Sequence, residues 1–127
     1  MRAKIISSLE KCFIDESVTD KPSLTKATLL KNERYSFQLC YDGGGPKVRG
    51  HRNCFIRIDS PLEKYLTVYN VRQIPSFMPC FAGQTDDNYL RTEPGLYPDL
   101  LEPFRYRSDF IAPDRTLRSL WFELDPR

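Results

Sequence analysis

A chain of 127 residues is about one domain long, which excludes a barrel-sized catalytic unit and leaves material for a single core. Hydrophobic residues make up 40% of it and aromatic residues 13%, enough apolar surface to exclude a disordered chain. The formal charge of +2 is spread without any long block of like charges, so neither nucleic acid nor an anionic membrane is implied as a partner.

The start, Met1-Arg2-Ala3-Lys4-Ile5-Ile6-Ser7, has no apolar stretch of signal-peptide length. No apolar run reaches the roughly 18 residues of a bilayer span, and a cytoplasmic location is expected. Residues 24–30 are rich in β-formers and read as a strand. In the next run, Arg34-Tyr35-Ser36-Phe37-Gln38-Leu39-Cys40-Tyr41, alternation puts Tyr35, Phe37, Leu39 and Tyr41 on one buried face. Lys31-Asn32-Glu33 then becomes a tight connection in which Asn32 best tolerates a left-handed backbone.

Asp42-Gly43-Gly44-Gly45-Pro46 reads as a flexible turn; it lacks the lysine-hydroxyl pair and following helix of a phosphate loop. His51, between Arg49-Gly50 and Arg52, reads as a surface residue. Residues 53–59 form a further strand, Pro61-Leu62-Glu63-Lys64 a short helical turn, and residues 65–74 a long strand that Pro75 and Pro79 stop. From 82 to 113 alternation gives way to Pro, Gly, Asp and Tyr, which predicts one long irregular loop. Strand character returns at 118–124, with Leu120, Phe122 and Leu124 on one face and Trp121 on the other. About six or seven short strands with turn signals between them predict an all-β, two-sheet antiparallel β-sandwich, immunoglobulin-like or jelly-roll-like, spanning 1–127 as one domain.

Cys12, Cys40, Cys54 and Cys80 show no close pairing and His51 is the single histidine, so no metal site is expected. Cys40 and Cys54 read as buried free thiols. No nucleophile–base pair or cofactor loop is evident, and no catalytic residue and no cofactor are assigned.

Three stretches carry a resemblance: Ser7-Ser8-Leu9-Glu10-Lys11-Cys12-Phe13-Ile14-Asp15-Glu16, Lys31-Asn32-Glu33-Arg34-Tyr35-Ser36-Phe37-Gln38, and Asp86-Asp87-Asn88-Tyr89-Leu90 with Pro94-Gly95-Leu96-Tyr97-Pro98-Asp99-Leu100-Leu101. Together the chain resembles the N-terminal β-sandwich region of bacterial proteins related to glycoside hydrolase family 123. The resemblance implies a non-catalytic domain placed before a (β/α)₈ barrel that cleaves N-acetylgalactosaminides, with the catalytic Asp-Glu pair in the barrel. Asp15-Glu16 is not that pair. The implied partner is the C-terminal catalytic domain of the same parent protein, this chain being its N-terminal piece. Such relatives continue beyond the Trp121 strand into another strand, which implies an open edge at 118–124 and a strand-mediated homodimer.

Asp86, Asp87, Tyr89, Tyr97 and Asp99 crowd the proline-rich loop, and Trp121 stands apart on its strand. Acids beside aromatic rings suit a carbohydrate surface, whereas prolines that fix an irregular segment suit interdomain docking. Docking is the favoured reading and carbohydrate binding the alternative. Calcium is disfavoured, since Asp86, Asp87 and Asn88 are consecutive, not alternating.

Overall fold

The chain's structure, a computed structural model, describes residues 1–44, 51–104 and 109–127. Seven strands run through them: β1 (Arg2–Ser7), β2 (Tyr35–Asp42), β3 (His51–Phe55), β4 (Leu66–Ser76), β5 (Gly95–Pro103), β6 (Asp109–Pro113) and β7 (Arg118–Leu124). They form two antiparallel sheets, one in the order β1-β2-β7-β4-β5 and one pairing β3 with β6, an all-β arrangement consistent with a β-sandwich. Helix in the described residues is confined to single 3₁₀ turns at Val18–Asp20 and Glu63–Tyr65, the second falling on the expected helical turn.

Register explains the core. Phe37 lies opposite Phe122 and Leu39 opposite Leu120, and β4 continues these rows with Val68 beside Phe122. Every second residue therefore points at the small sheet, where Phe110 and Ala112 of β6 close the cluster with Tyr41. Phe37 stacks on Phe122 with centroids 5.0 Å apart, and Tyr41 meets Phe110 edge-on at the same distance. The opposite face is buried too. Ile6, Cys40 and Leu117 pack there with Cys12 and Val18 of the N-terminal segment.

Asn32 adopts the left-handed conformation expected of it, at φ 63°. Gly43 has a different justification from turn flexibility. Its N–H donates to Pro113 O at 2.8 Å, and a Cβ there would sit 2.9 Å from that carbonyl, so only glycine lets the end of β2 approach β6 this closely. Gly45, Pro46 and the His51 side chain lie outside the described residues.

Several expectations need correction. Residues 24–30 form no strand and are largely exposed; composition favours strand there, but no neighbouring strand pairs with them. Leu24 N–H bonding Ile5 O at 2.8 Å is the point where this segment meets β1. Strand β2 has two buried faces, since Gln38 and Cys40 are as enclosed as Tyr41. The strand expected at 53–59 ends at Phe55, and Pro75 lies inside β4, not beyond it.

The supposed loop at 82–113 holds β5 and β6. Prolines hid β5: among the described residues it pairs with β4 alone, so Pro98 and Pro103 can occupy positions whose missing N–H is not needed by an outer neighbour. Finally, β7 is no open edge. It is bonded on both sides, to β2 and to β4, which removes the basis for pairing copies through 118–124.

Candidate functional site

The structure divides the six candidate residues among three places. Asp86, Asp87 and Tyr89 sit on the connection from β4 to β5, residues 77–94, exposed to solvent. Asp86 is used locally: its Oδ1 accepts the Asn88 N–H at 2.9 Å, which holds its carboxyl below the ordinary range. Tyr97, half-buried on β5, donates its hydroxyl to Glu93 O at 2.7 Å and meets the Phe13 ring edge-on at 5.7 Å. It props up the base of the connection and offers little free ring face.

Asp99 and Trp121 do come together. They line one cleft of about 210 Å³, with Lys11, Gln38, Val71 and Leu101 around them. Trp121 is on the face opposite Leu120 and Phe122, as alternation requires, and is half-buried. Asp99 lies where the β4–β5 register shifts, and it ion-pairs with Lys11 across the cleft mouth. The cleft floor is already satisfied: Gln38 donates to Glu10 O at 2.8 Å and accepts from Ser119 Oγ at 3.0 Å.

Asp15 and Glu16 have a structural task. Arg91 bonds Asp15 at 2.7 Å while its guanidinium lies 3.8 Å over the Phe13 ring, and Lys21 bonds Glu16 at 2.6 Å. These contacts tie the end of the 77–94 connection to the N-terminal segment.

The middle of that connection is another matter. Phe77 is 88% exposed, Phe81 68%, Leu90 69% and Met78 63%, with Leu96 of β5 also exposed beside them in sequence order. Large apolar side chains gathered on one exposed segment are what an interaction surface looks like.

Composition reading missed a second feature, a cavity of about 390 Å³ between the two sheets, lined among others by Tyr41, Asn70, Arg72, Phe104, Phe110 and Arg118. An apolar interior without such a cleft is what the strand pattern suggests. The overlooked signal was periodic: Arg118 precedes Leu120, Phe122 and Leu124 at the inward spacing, and Asn70 and Arg72 follow Leu66 and Val68 in the same way.

Reactive chemistry finds little support. Cys12 and Cys40 are both fully buried in one cluster, and their mutual interaction pushes the Cys12 thiol up and the Cys40 thiol down. Among the described residues no group of three or more His, Cys, Asp or Glu side chains is placed to hold a metal ion. No helix among them is long and apolar enough to cross a membrane. No family model matches the chain, no curated protein matches it, and neither comparison links it to glycoside hydrolase family 123.

Proposed function

We propose that this chain is a non-catalytic β-sandwich domain, immunoglobulin-like or jelly-roll-like in type, that packs against and orients the (β/α)₈ catalytic barrel of a glycoside hydrolase. The observation that carries the reading is the exposure of Phe77, Met78, Phe81 and Leu90 on one connection whose base is pinned by Arg91 and Tyr97. Burying such side chains against a partner removes apolar area worth about 25 cal/mol per Å². The resemblance of the flanking segments to the region preceding family 123-type barrels supplies the partner. Edge strand β5 favours side-chain docking over strand addition, because Pro98 and Pro103 interrupt its donors.

The alternative, a carbohydrate-binding module for N-acetylhexosamine glycans, draws on the shared cleft of Asp99 and Trp121. Mixing the chain with a separately produced family 123-type barrel separates the two. Docking predicts co-elution that is lost in Phe77→Ser/Phe81→Ser, with the thermal midpoint of the free domain unchanged. Absence of co-elution, together with saturable binding of N-acetylgalactosamine oligosaccharides that Trp121→Ala removes, would replace docking with the module.

A further inference from the structure

We propose that the cavity between the two sheets binds a small organic monoanion, a carboxylate carried on an apolar or aromatic body. The site is independent of the docking surface and needs no barrel.

Its construction follows from strand register. Tyr41 of β2 stands opposite Arg118 of β7, and Leu120 stands opposite Asn70 of β4. Two residues along each antiparallel partner, Arg118 and Arg72 become neighbours on the same inward face. Both guanidinium-bearing side chains therefore line one space between the sheets. Like charges placed side by side in a partly enclosed site repel more strongly than in water. Only one of the two is neutralised directly: Arg72 Nε donates to Glu102 Oε2 at 2.6 Å. Among the described residues Arg118 has no carboxylate within ion-pair distance.

The second observation is Tyr41 itself. The residue is 4% exposed and lines the cavity, yet its hydroxyl has no hydrogen-bond partner among the described residues. The hydroxyl is not one of the enclosed, unpartnered polar atoms, so it opens on the cavity and is available to donate to a ligand atom there. Burial pushes this phenol up to about 12, which leaves it a neutral donor at pH 7. Arg118 and Tyr41 thus offer adjacent donors to one oxyanion, with the Asn70 amide lining the same space.

The walls select what carries that oxyanion. Phe104 and Phe110 form an apolar side, and the volume of about 390 Å³ suits a small molecule. Asp109 also lines the cavity without ion-pairing to either arginine among the described residues. Its charge disfavours a dianion such as phosphate and leaves a monocarboxylate as the better fit.

Heteronuclear NMR titration of the intact chain with benzoate, and separately with inorganic phosphate, tests this. Saturable benzoate shifts are expected at Tyr41, Asn70 and Arg118, with phosphate weaker. Arg118→Gln should weaken benzoate binding about tenfold or more and Tyr41→Phe several-fold, with folding checked by circular dichroism. Should Arg118→Gln not fold, Tyr41→Phe, which keeps the ring, decides. Absence of saturable benzoate shifts, phosphate binding as tight as benzoate, or unchanged affinity in a folded variant overturns the proposal.

Discussion

The face of the five-stranded sheet that looks at β3 and β6 is closed by side chains meeting side chains, whereas the opposite face is closed by irregular chain. On the first, Tyr41, Leu120 and Phe122 interdigitate with Phe110 and Ala112, and ring geometry fixes the fit. On the second, residues 8–20 run over the sheet without strand structure, and their backbone groups must be satisfied one at a time. Gln38 takes the Glu10 carbonyl at 2.8 Å, Gln73 takes that of Cys12 at 3.1 Å, and the Leu117 N–H takes that of Ile14 at 3.1 Å. An apolar face selects a partner by volume, while an irregular cover is selected by the positions of a few amides.

That difference predicts unequal responses to substitution. Leu120→Ala, at a side chain with no exposure, should lower the free energy of unfolding by about 2–5 kcal/mol in urea titration and lower it for every probe together. A loss confined to the β3–β6 sheet would break the view of the first face as the cooperative core. Gln38→Ala should cost less, about 1–3 kcal/mol, because it leaves Glu10 O and Ser119 Oγ without their buried partner. Its signature is local: amides of residues 8–17 should exchange faster than those of β7. Uniform acceleration across the chain would mean that the N-terminal cover and the core are one unit.

The first face was legible in the sequence and the second was not, for the same reason. Alternation in Phe37, Leu39 and Tyr41 and in Leu120, Phe122 and Leu124 reports a regular element packed on another regular element. Nothing periodic announces that Cys12 and Val18 will cover Cys40, since that packing depends on how an irregular segment folds back. Edge position misled in the same way: Pro98 and Pro103 look like loop residues until β5 is known to have, among the described residues, a neighbour on one side alone. Of the candidate residues, Asp99 and Trp121 meet in space although 22 positions separate 99 from 121. Tyr97 carried an aromatic signal that the structure spends on packing against Phe13. Arg72 and Arg118 carried an inward-charge signal, but a charge at an inward position has meaning only once the facing sheet is in place.

One tie between the N-terminal cover and the 77–94 connection responds to pH. Arg91 bonds Asp15 at 2.7 Å and holds its carboxyl below the usual carboxylate range. A depressed folded-state pKa stabilises the tie fully above the unfolded value, near pH 4, and the contribution fades as pH falls towards the folded value. Asp15 is well exposed, so the effect on global stability should be small, and salt should weaken it further. The sensitive readout is local. Amide shifts of Arg91 and the 77–94 connection should move as pH drops below about 4, while those around Leu120 stay fixed until the chain unfolds. Asp15→Asn should show the released pattern already at neutral pH and lose that acid transition. If Asp15→Asn titrates like the parent chain, the connection is held by the Arg91–Phe13 and Tyr97–Phe13 ring contacts and by the longer Arg91–Glu16 pair at 3.9 Å, and the Asp15 ion pair adds nothing to the closure of this face.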